Sequence, residues 1–160
     1  MRILAFSDSH KDYESIAAVM KRFYPDAVIH LGDGTDDLFV LEKDFPLAKF
    51  FYVKGNSGEP DTSGEPDRVI TLENVSIFLS HINRFKVKKD RNMIDEALKL
   101  DVQIVLYGDS HTPELLVSNG ITFMNPGSIS KEFGFRTFGL IDVFEGAYSC
   151  EVVFADLFMA

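Results

Sequence analysis

The chain has 160 residues, of which 46% are hydrophobic and 26% are charged, as in an average soluble globular domain. The 15 Phe and 5 Tyr carry too much apolar surface for a disordered chain, and no stretch approaches the ~18 consecutive apolar residues of a membrane helix. The net charge of −9 disfavours binding to nucleic-acid polymers through their phosphates.

The length of the chain indicates the number of domains, and its cysteine content indicates the cellular location. The length predicts a single domain over residues 1–160, because a second hydrophobic core would be cramped. Cys150 is the only cysteine, which argues against a disulfide framework and favours the cytoplasm. Asp8 and His10 come so early in the chain that we expect no secretory leader, and we expect no membrane partner.

The first half of the sequence alternates strands with helices. Residues 12–24 have apolar side chains at helical spacing and stop before Pro25, which predicts a helix. Asp36 and Asp37 follow a glycine and are predicted to cap a second helix, whereas residues 57–66 contain several helix and strand breakers and are predicted to be a loop. Short apolar runs predict three strands, at residues 2–6, 27–31 and 49–53, and the first of them is predicted to be buried.

The second half is richer in strands. Residues 69–72 and 75–79 predict a hairpin that turns at Glu73-Asn74, residues 90–100 predict an amphipathic helix, and residues 102–107 predict a strand. This order of elements predicts an α/β domain, with helices covering either one central sheet or two packed sheets. Between residues 115 and 154 we expect strands separated by turns at Asn119-Gly120, Pro126-Gly127 and Glu145-Gly146.

Residues that can bind metals recur directly after the predicted strands. Such pairs are ordinary turn sequences when they occur singly, so the prediction depends on their joint occurrence. Because ligand sites form at the carboxyl ends of strands in α/β sheets, we expect these side chains to converge. Carboxylates, imidazoles and an amide together suit two adjacent divalent ions. The seven candidates are Asp8, His10, Asp33, Asn56, His81, Asp109 and His111.

The order of these motifs resembles that of the calcineurin-like metallophosphoesterase superfamily, and within it the small YfcE-like phosphodiesterases. The resemblance implies a four-layer α/β/β/α sandwich with a binuclear metal centre at one sheet edge. It runs through nearly the whole chain, from Ile3 to about Phe144. The motifs, in order, are Asp8-Ser9-His10, Gly32-Asp33, Gly55-Asn56, Ser80-His81, Gly108-Asp109-Ser110-His111 and Asn125-Pro126-Gly127-Ser128.

The resemblance also implies a function and a role for each candidate residue. A hydroxide held between two divalent ions would attack phosphorus, so the chain would be a phosphodiesterase for a small phosphate ester, with a nucleotide derivative as one candidate. Asp33 would bridge the ions and Asn56 would orient a phosphate oxygen, which makes these two the candidate catalytic residues. A homodimer is one expected assembly. Asp8, His10 and His111 would bind the first metal, and Asn56, His81 and Asp109 the second.

Four departures from the family pattern modify these expectations. One of them is Asn83, which replaces a residue that lies near the substrate in relatives. Asp109 stands where relatives have His, so the centre is less positive; we expect Mn²⁺, with Ni²⁺, Zn²⁺, Fe²⁺ and Mg²⁺ as alternatives. Ser57 stands where many relatives have His or Cys, which leaves no obvious general acid and favours diesters with activated leaving groups. The Arg that often follows the Asn-Pro-Gly-Ser motif is missing, and Lys131 and Arg136 are the candidates to replace it.

A different class of function stays open at this point. The retromer subunit of the same fold resembles these enzymes but works mainly as a protein-interaction scaffold with degraded metal chemistry. The departures at Asp109 and Ser57 keep this alternative open, whereas the presence of a residue able to bind metal at all seven ligand positions favours the enzyme. His30, inside an apolar strand, is predicted to be a core histidine, and Phe133 and Phe135 beside a glycine are predicted to form an apolar lip.

Overall fold

Two five-stranded sheets pack face to face and carry helices on their outer faces, which confirms the predicted four-layer α/β/β/α sandwich. The structure is a computed structural model that describes residues 1–57, 64–83 and 92–159. Two short 3-10 helices lie at Lys131–Phe133 and Ala155–Leu157. The other elements are β1 (Arg2–Phe6), α1 (Tyr13–Phe23), β2 (Ala27–His30), α2 (Asp36–Asp44), β3 (Lys49–Tyr52), β4 (Asp67–Leu72), β5 (Val75–Ser80), α3 (Asn92–Lys99), β6 (Ile104–Leu106), β7 (Glu114–Ser118), β8 (Ile121–Asn125), β9 (Thr137–Phe144) and β10 (Ala147–Phe154).

Each sheet has a parallel centre and antiparallel strands at its margins. The first sheet has the order β10-β9-β1-β2-β3, in which β1, β2 and β3 are parallel. The second has the order β4-β5-β6-β8-β7, in which β5, β6 and β8 are parallel. The parallel strands therefore deliver their carboxyl ends to a common edge of each sheet.

The alternation of side chains along each strand divides the core into three parts. On β1, Ile3 faces the other sheet, whereas Phe6 faces the helices α1 and α2. On the outer face of the second sheet, Val105 packs in a third cluster with Ala97 of α3. Each large apolar side chain buried in this way contributes about 1.5–3 kcal/mol to folding relative to leaving it exposed.

The first helix begins and ends where the sequence predicts. The Asp12 carboxylate accepts a hydrogen bond from Ser15 N at 3.2 Å, which caps the helix at its start. Tyr24 has a left-handed backbone and ends the helix, as C-terminal caps do.

The second helix differs in one respect from the prediction. Thr35 occupies the N-cap position, and Asp36 and Asp37 lie in the first turn. The prediction that they cap the helix was therefore wrong by one position. The Asp37 side chain is buried and accepts a hydrogen bond from the Ser9 hydroxyl, so it serves the site described below.

The three antiparallel hairpins turn at the expected places. Both central residues have positive φ at Glu73-Asn74, Asn119-Gly120 and Glu145-Gly146, which is the pattern of a type I′ turn. The predicted loop 57–66 and helix 90–100 lie partly outside the described residues. Among the helices described, none has both the length and the apolar character needed to cross a membrane.

Candidate metal centre

The structure brings all seven predicted residues together at one end of the sandwich, where strands of both sheets finish. Three of the contributing segments follow strands of the first sheet and two follow strands of the second. The site therefore lies across the edges of two sheets rather than over a single one. The segments after β1, β2, β3, β5 and β6 carry, in turn, Asp8 and His10, Asp33, Asn56, His81, and Asp109 and His111.

The first group consists of Asp8, His10 and His111. Each offers one ligand atom, and these atoms lie within 4.8 Å of one another. His111 Nε2 lies 3.2 Å from Asp8 Oδ1. One carboxylate and two imidazoles at this spacing suit a single divalent ion.

The second group surrounds His81. The His81 Nδ1 atom donates to the carbonyl oxygen of Leu31 at 2.7 Å, so Nε2 is the ring nitrogen that faces the site. A ring nitrogen in this position can coordinate a metal together with nearby oxygen atoms. Three oxygens face Nε2: Asn56 Oδ1 at 3.2 Å, Asp33 Oδ2 at 3.3 Å and Asp109 Oδ1 at 3.4 Å.

The Asp33 carboxylate lies between the two groups. Its Oδ2 atom is 3.3 Å from His81 Nε2 in the second group and 4.0 Å from His10 Nε2 in the first. Its Oδ1 atom accepts hydrogen bonds from Asn56 N at 2.9 Å and from Ser57 N at 3.0 Å. The backbone thus holds one oxygen and aims the other at both groups.

Hydrogen bonds also fix the orientation of Asp8. Its Oδ2 atom accepts from the Ser7 hydroxyl at 2.5 Å and from Asp109 N at 3.2 Å, so Oδ1 faces His111. Ser7 could not be selected from the sequence, because a serine that directly follows an apolar strand carries no distinctive signal. Residues that orient a ligand in this manner tune the affinity of a metal site.

Two orphaned polar atoms test whether this set of residues fits a metal. Among the described residues, Asp8 Oδ1 and His10 Nε2 are buried without a hydrogen-bond partner. A buried polar atom left unpaired is costly, and coordination to a cation removes that cost. The carboxylate, imidazole and amide donors therefore fit divalent metal ions.

Burial and neighbouring groups shift two of the carboxyl pKa values in opposite directions. Burial raises the pKa of Asp8, although the Ser7 hydroxyl and nearby imidazoles oppose that shift. Burial also acts to raise the pKa of Asp33, but His81 and the backbone amides of Asn56 and Ser57 outweigh it, so that pKa lies below its ordinary value. The carboxylate between the two groups is thus the more strongly held in its charged form.

The backbone of the site is strained. Asp8, His10, Asp33, Asp109 and His111 all have φ between 45° and 68°, in the left-handed region that residues with a side chain seldom adopt. Such conformations cost about 1–3 kcal/mol each and cluster at functional sites, where the surrounding structure enforces them. Five of the seven predicted residues share this property.

A glycine allows the three segments to approach one another. Gly32 has φ of 101°, and a Cβ atom there would lie 2.7 Å from Gly55 Cα and 2.8 Å from His81 Nδ1. Any side chain at this position would therefore separate the segments that carry Asp33 and His81.

A buried network supports the segment that contains Asp8 and His10. His30 accepts from Gly32 N at 3.1 Å through Nδ1, and its Nε2 lies 2.9 Å from Ser9 Oγ. The Ser9 hydroxyl in turn donates to Asp37 Oδ2 at 2.5 Å. The prediction that His30 is a core histidine is confirmed, because the ring is fully buried and both of its nitrogens are hydrogen-bonded.

The Asn-Pro-Gly-Ser motif contacts the backbone of the site. Asn125 Nδ2 donates to the carbonyl oxygen of Gly108 at 3.0 Å, and Ser128 Oγ donates to that of Asp8 at 2.8 Å. Arg136, one candidate for the missing arginine, is paired with Asp156 at 2.5 Å. Its guanidinium is therefore engaged away from the seven residues, which leaves the exposed Lys131 as the candidate.

Comparisons with known proteins show similarity to one family. A family model described as the calcineurin-like phosphoesterase superfamily domain matches residues 1–146. The chain is 31% identical over 132 residues to a probable metallophosphoesterase of Mycoplasma pneumoniae, covering 80% of this chain and 79% of that protein.

Solved structures share the fold. A predicted phosphoesterase from Streptococcus pneumoniae TIGR4 has a TM-score of 0.74 and 25% identity, covering 97% of this chain and 90% of that one. A single mutant of Vps29 from Entamoeba histolytica has a TM-score of 0.73 and 22% identity, covering 96% of this chain and 99% of that one. At that identity the second match demonstrates a common fold.

Proposed function

The chain belongs to the calcineurin-like phosphoesterase superfamily, and from this premise we propose that it is a phosphodiesterase that acts on small phosphate esters with two divalent ions. Membership itself supports a metal-dependent phosphoesterase. The observation that carries the finer proposal is the position of Asp33, whose Oδ2 atom faces His10 on one side and His81 on the other. A carboxylate shared by two ions requires such a position.

The proposed ligand sets follow the two groups around that carboxylate. Support for the first set comes from the mutual distances among its three ligand atoms and from the two orphaned buried atoms. Support for the second comes from the acceptor atoms that converge on His81 Nε2. In this proposal Asp8, His10 and His111 hold one ion, Asn56, His81 and Asp109 hold the other, and Asp33 bridges them.

Two divalent ions bound by these residues would supply Lewis-acid chemistry, because they would acidify a water and stabilise the charge that develops on phosphate. Asn56 presents an amide to the same region, where it can orient a phosphate oxygen. Its Nδ2 atom donates to Asp109 Oδ1 at 3.2 Å and has a second hydrogen for a ligand. Asp33 and Asn56 are therefore the residues proposed to act on the reacting groups.

The charge of the site suggests a metal preference. Two divalent ions carry four positive charges, and Asp8, Asp33 and Asp109 oppose them with three negative ones. A histidine at residue 109 would leave two net positive charges instead of one. The additional carboxylate favours harder ions, so we propose Mn²⁺. The neutral hydroxyl of Ser57 near Asp33 is a poor acid, which favours diesters whose leaving groups need no proton.

A protein-interaction scaffold is the second candidate function. One observation favours it beyond the shared fold with Vps29: the Asp109 side chain is 45% exposed, and the carboxylates that cluster with His81 within 4.8 Å are those of Asp8 and Asp33, not that of Asp109. A second metal held through an exposed carboxylate would bind more weakly. The number of bound ions therefore distinguishes the two functions, since the enzyme requires two per chain. The single Cys150 makes the cytoplasm the proposed location for either function.

The direct test is hydrolysis of an aryl phosphodiester after chelation, with Mn²⁺, Ni²⁺, Zn²⁺ and Mg²⁺ returned singly. We expect metal-dependent turnover that falls by at least about 100-fold in Asp33→Asn, since metal chemistry contributes several kcal/mol. Asp36→Asn is the matched control, because it removes an exposed carboxylate of the first turn of α2 and should keep full activity. No turnover from folded protein that binds fewer than two ions would favour the scaffold.

A further inference from the structure

An aromatic side chain lies against both histidines of the first group. The Phe133 ring centroid is 4.1 Å from that of His111, at an interplanar angle of 46°. It is 5.0 Å from the His10 ring, in an edge-to-face arrangement at 65°. Phe133 thus borders the proposed metal centre without belonging to either set of ligands.

Phe133 also presents apolar surface to solvent beside this polar site. The Phe133 residue is 42% exposed, although it packs against both histidine rings. Exposed aromatic surface next to a cluster of charged groups is typical of a ligand-binding rim, because a ligand can bury it on arrival. The charged groups of the site recognise phosphate, whereas the ring offers a contact for an apolar part of the ligand.

The segment that carries Phe133 is anchored at its start. Ser130 Oγ accepts from Glu132 N at 3.2 Å, and Lys131 N donates to the Asp12 carboxylate at 3.0 Å. These contacts fix the 3-10 turn that ends at Phe133. An aromatic ring held in place before the ligand arrives loses little conformational entropy on binding.

We propose that Phe133 is a specificity-determining residue that packs against a planar ring carried by the phosphate ester, either a nucleobase or an aryl group. This inference rests on the proposed function, because it names the class of substrate taken by the same site. The Phe133 ring would add a stacking contact with the planar ring of the ester to the binding of its phosphate at the metal centre. A phosphate ester without a ring would bind through phosphate alone.

A structural role for Phe133 makes a different prediction. If the ring served only to hold His10 and His111, its removal would weaken metal binding and thereby weaken every phosphate ligand equally. If the ring contacts the ligand, its removal would weaken ring-bearing ligands alone. Phe133→Leu separates the two roles, because leucine keeps apolar bulk against the histidines and removes the aromatic face.

The test is titration calorimetry on protein loaded with Mn²⁺, using phenyl phosphate, adenosine monophosphate and methyl phosphate as ligands. We expect the wild type to bind at least one ring-bearing ligand more tightly than methyl phosphate. Phe133→Leu should raise the Kd of that ligand by about 10-fold and leave the Kd of methyl phosphate and the number of bound Mn²⁺ ions unchanged. Phe133→Tyr should restore the ring contact.

Phe135→Leu is the matched control. Phe135 lies in the same exposed segment but packs toward Phe154, at a centroid distance of 6.3 Å. The Phe135→Leu protein should therefore bind all three ligands as tightly as the wild type does. The titrations with phenyl phosphate and adenosine monophosphate show which ring is preferred. Binding of either one more tightly than methyl phosphate supports the proposal.

Three results would overturn it: equal affinity of the wild type for ligands with and without a ring, an equal loss for all three ligands in Phe133→Leu, or an equal effect of Phe135→Leu. Calorimetry needs no turnover, so this failure is distinct from failure of the proposed hydrolysis. A protein that binds Mn²⁺ and prefers ring-bearing phosphates without hydrolysing diesters would retain the role of Phe133 and lose the proposed activity.

Discussion

Replacement of His30 by glutamine should remove a specific part of the acid sensitivity of this fold. His30 is fully buried, and burial, followed by the nearby His81, lowers its pKa from 6.5 to about 3. The ring is therefore neutral in the folded protein at pH values where it is protonated in the unfolded chain. A glutamine amide can still donate to Ser9 Oγ but does not titrate.

The sign and size of the effect follow from proton linkage. Between pH 6.5 and about 3 the unfolded state binds more protons at His30 than the folded state does, so the free energy of unfolding falls as the pH falls. The slope is about 1.4 kcal/mol per pH unit. Lowering the pH from about 7.5 to about 4.5 crosses two units of that window, so His30 accounts for a loss of about 2.7 kcal/mol.

The assay is urea denaturation of the wild type and His30→Gln at both pH values, with a chelator present so that metal binding does not contribute. Other titrating groups are common to both proteins and cancel in the difference. The glutamine leaves Gly32 N without its acceptor, which costs about 1–3 kcal/mol at either pH. The wild type should therefore be the more stable protein near pH 7.5 and lose most or all of that advantage near pH 4.5.

A difference in unfolding free energy between the two proteins that stays constant from one pH to the other would refute this reasoning. Nitrogen chemical shifts of the His30 imidazole provide a second measurement that does not depend on the variant. They should report a neutral ring until the protein unfolds. Titration of that ring in the folded protein near its ordinary pKa would contradict the assignment.

Three further predictions concern the metal centre and the ion pair between Arg136 and Asp156. Asp109→His should shift the selectivity of the second ion site from Mn²⁺ toward Zn²⁺, because imidazole is a softer ligand than carboxylate. Competition dialysis measures the ratio of bound Zn²⁺ to bound Mn²⁺, and an unchanged ratio would contradict coordination through residue 109. Ser7→Ala should weaken Mn²⁺ affinity by about 10–100-fold, because the Ser7 hydroxyl orients Asp8; equilibrium dialysis tests it, and wild-type affinity would show that this bond is dispensable. Arg136→Ala should lower the unfolding free energy by about 1 kcal/mol through loss of the partly exposed pair with Asp156, with diester hydrolysis unchanged; reduced hydrolysis at wild-type metal content would instead place Arg136 at the substrate.

The strands and the first helix could be predicted because local sequence determines them. The apolar runs around β1 and β2 and the helical spacing that ends before Pro25 are patterns whose physical cause acts over a few residues. The candidate ligands could be selected for a related reason. Asp33 and His81 follow buried strands, and the parallel strands of each sheet bring their carboxyl ends to one edge.

The start of the second helix was less predictable, since its first acidic residues have two competing roles. Asp37 suits a cap by its chemistry, but the Ser9 hydroxyl lies within reach of its carboxylate and the helix starts one residue earlier. Nothing within residues 34–38 indicates that partner. The same holds for Phe133, whose sequence context predicted an apolar lip but not the histidine rings beneath it.

By itself, the sequence determined the element order, the residue types of the site and the family resemblance, because strand periodicity, turn chemistry and motif order are local properties. Only the tertiary structure decided which atoms face one another. Asp33 Oδ2 lies between His10 and His81 because two separate sheets end side by side and two backbone amides hold the other carboxylate oxygen. Those contacts join residues 23 to 48 positions apart. Pairing of β2 with β1 and β3 brings His10 and Asn56 to Asp33, and packing of the two sheets brings His81 to it.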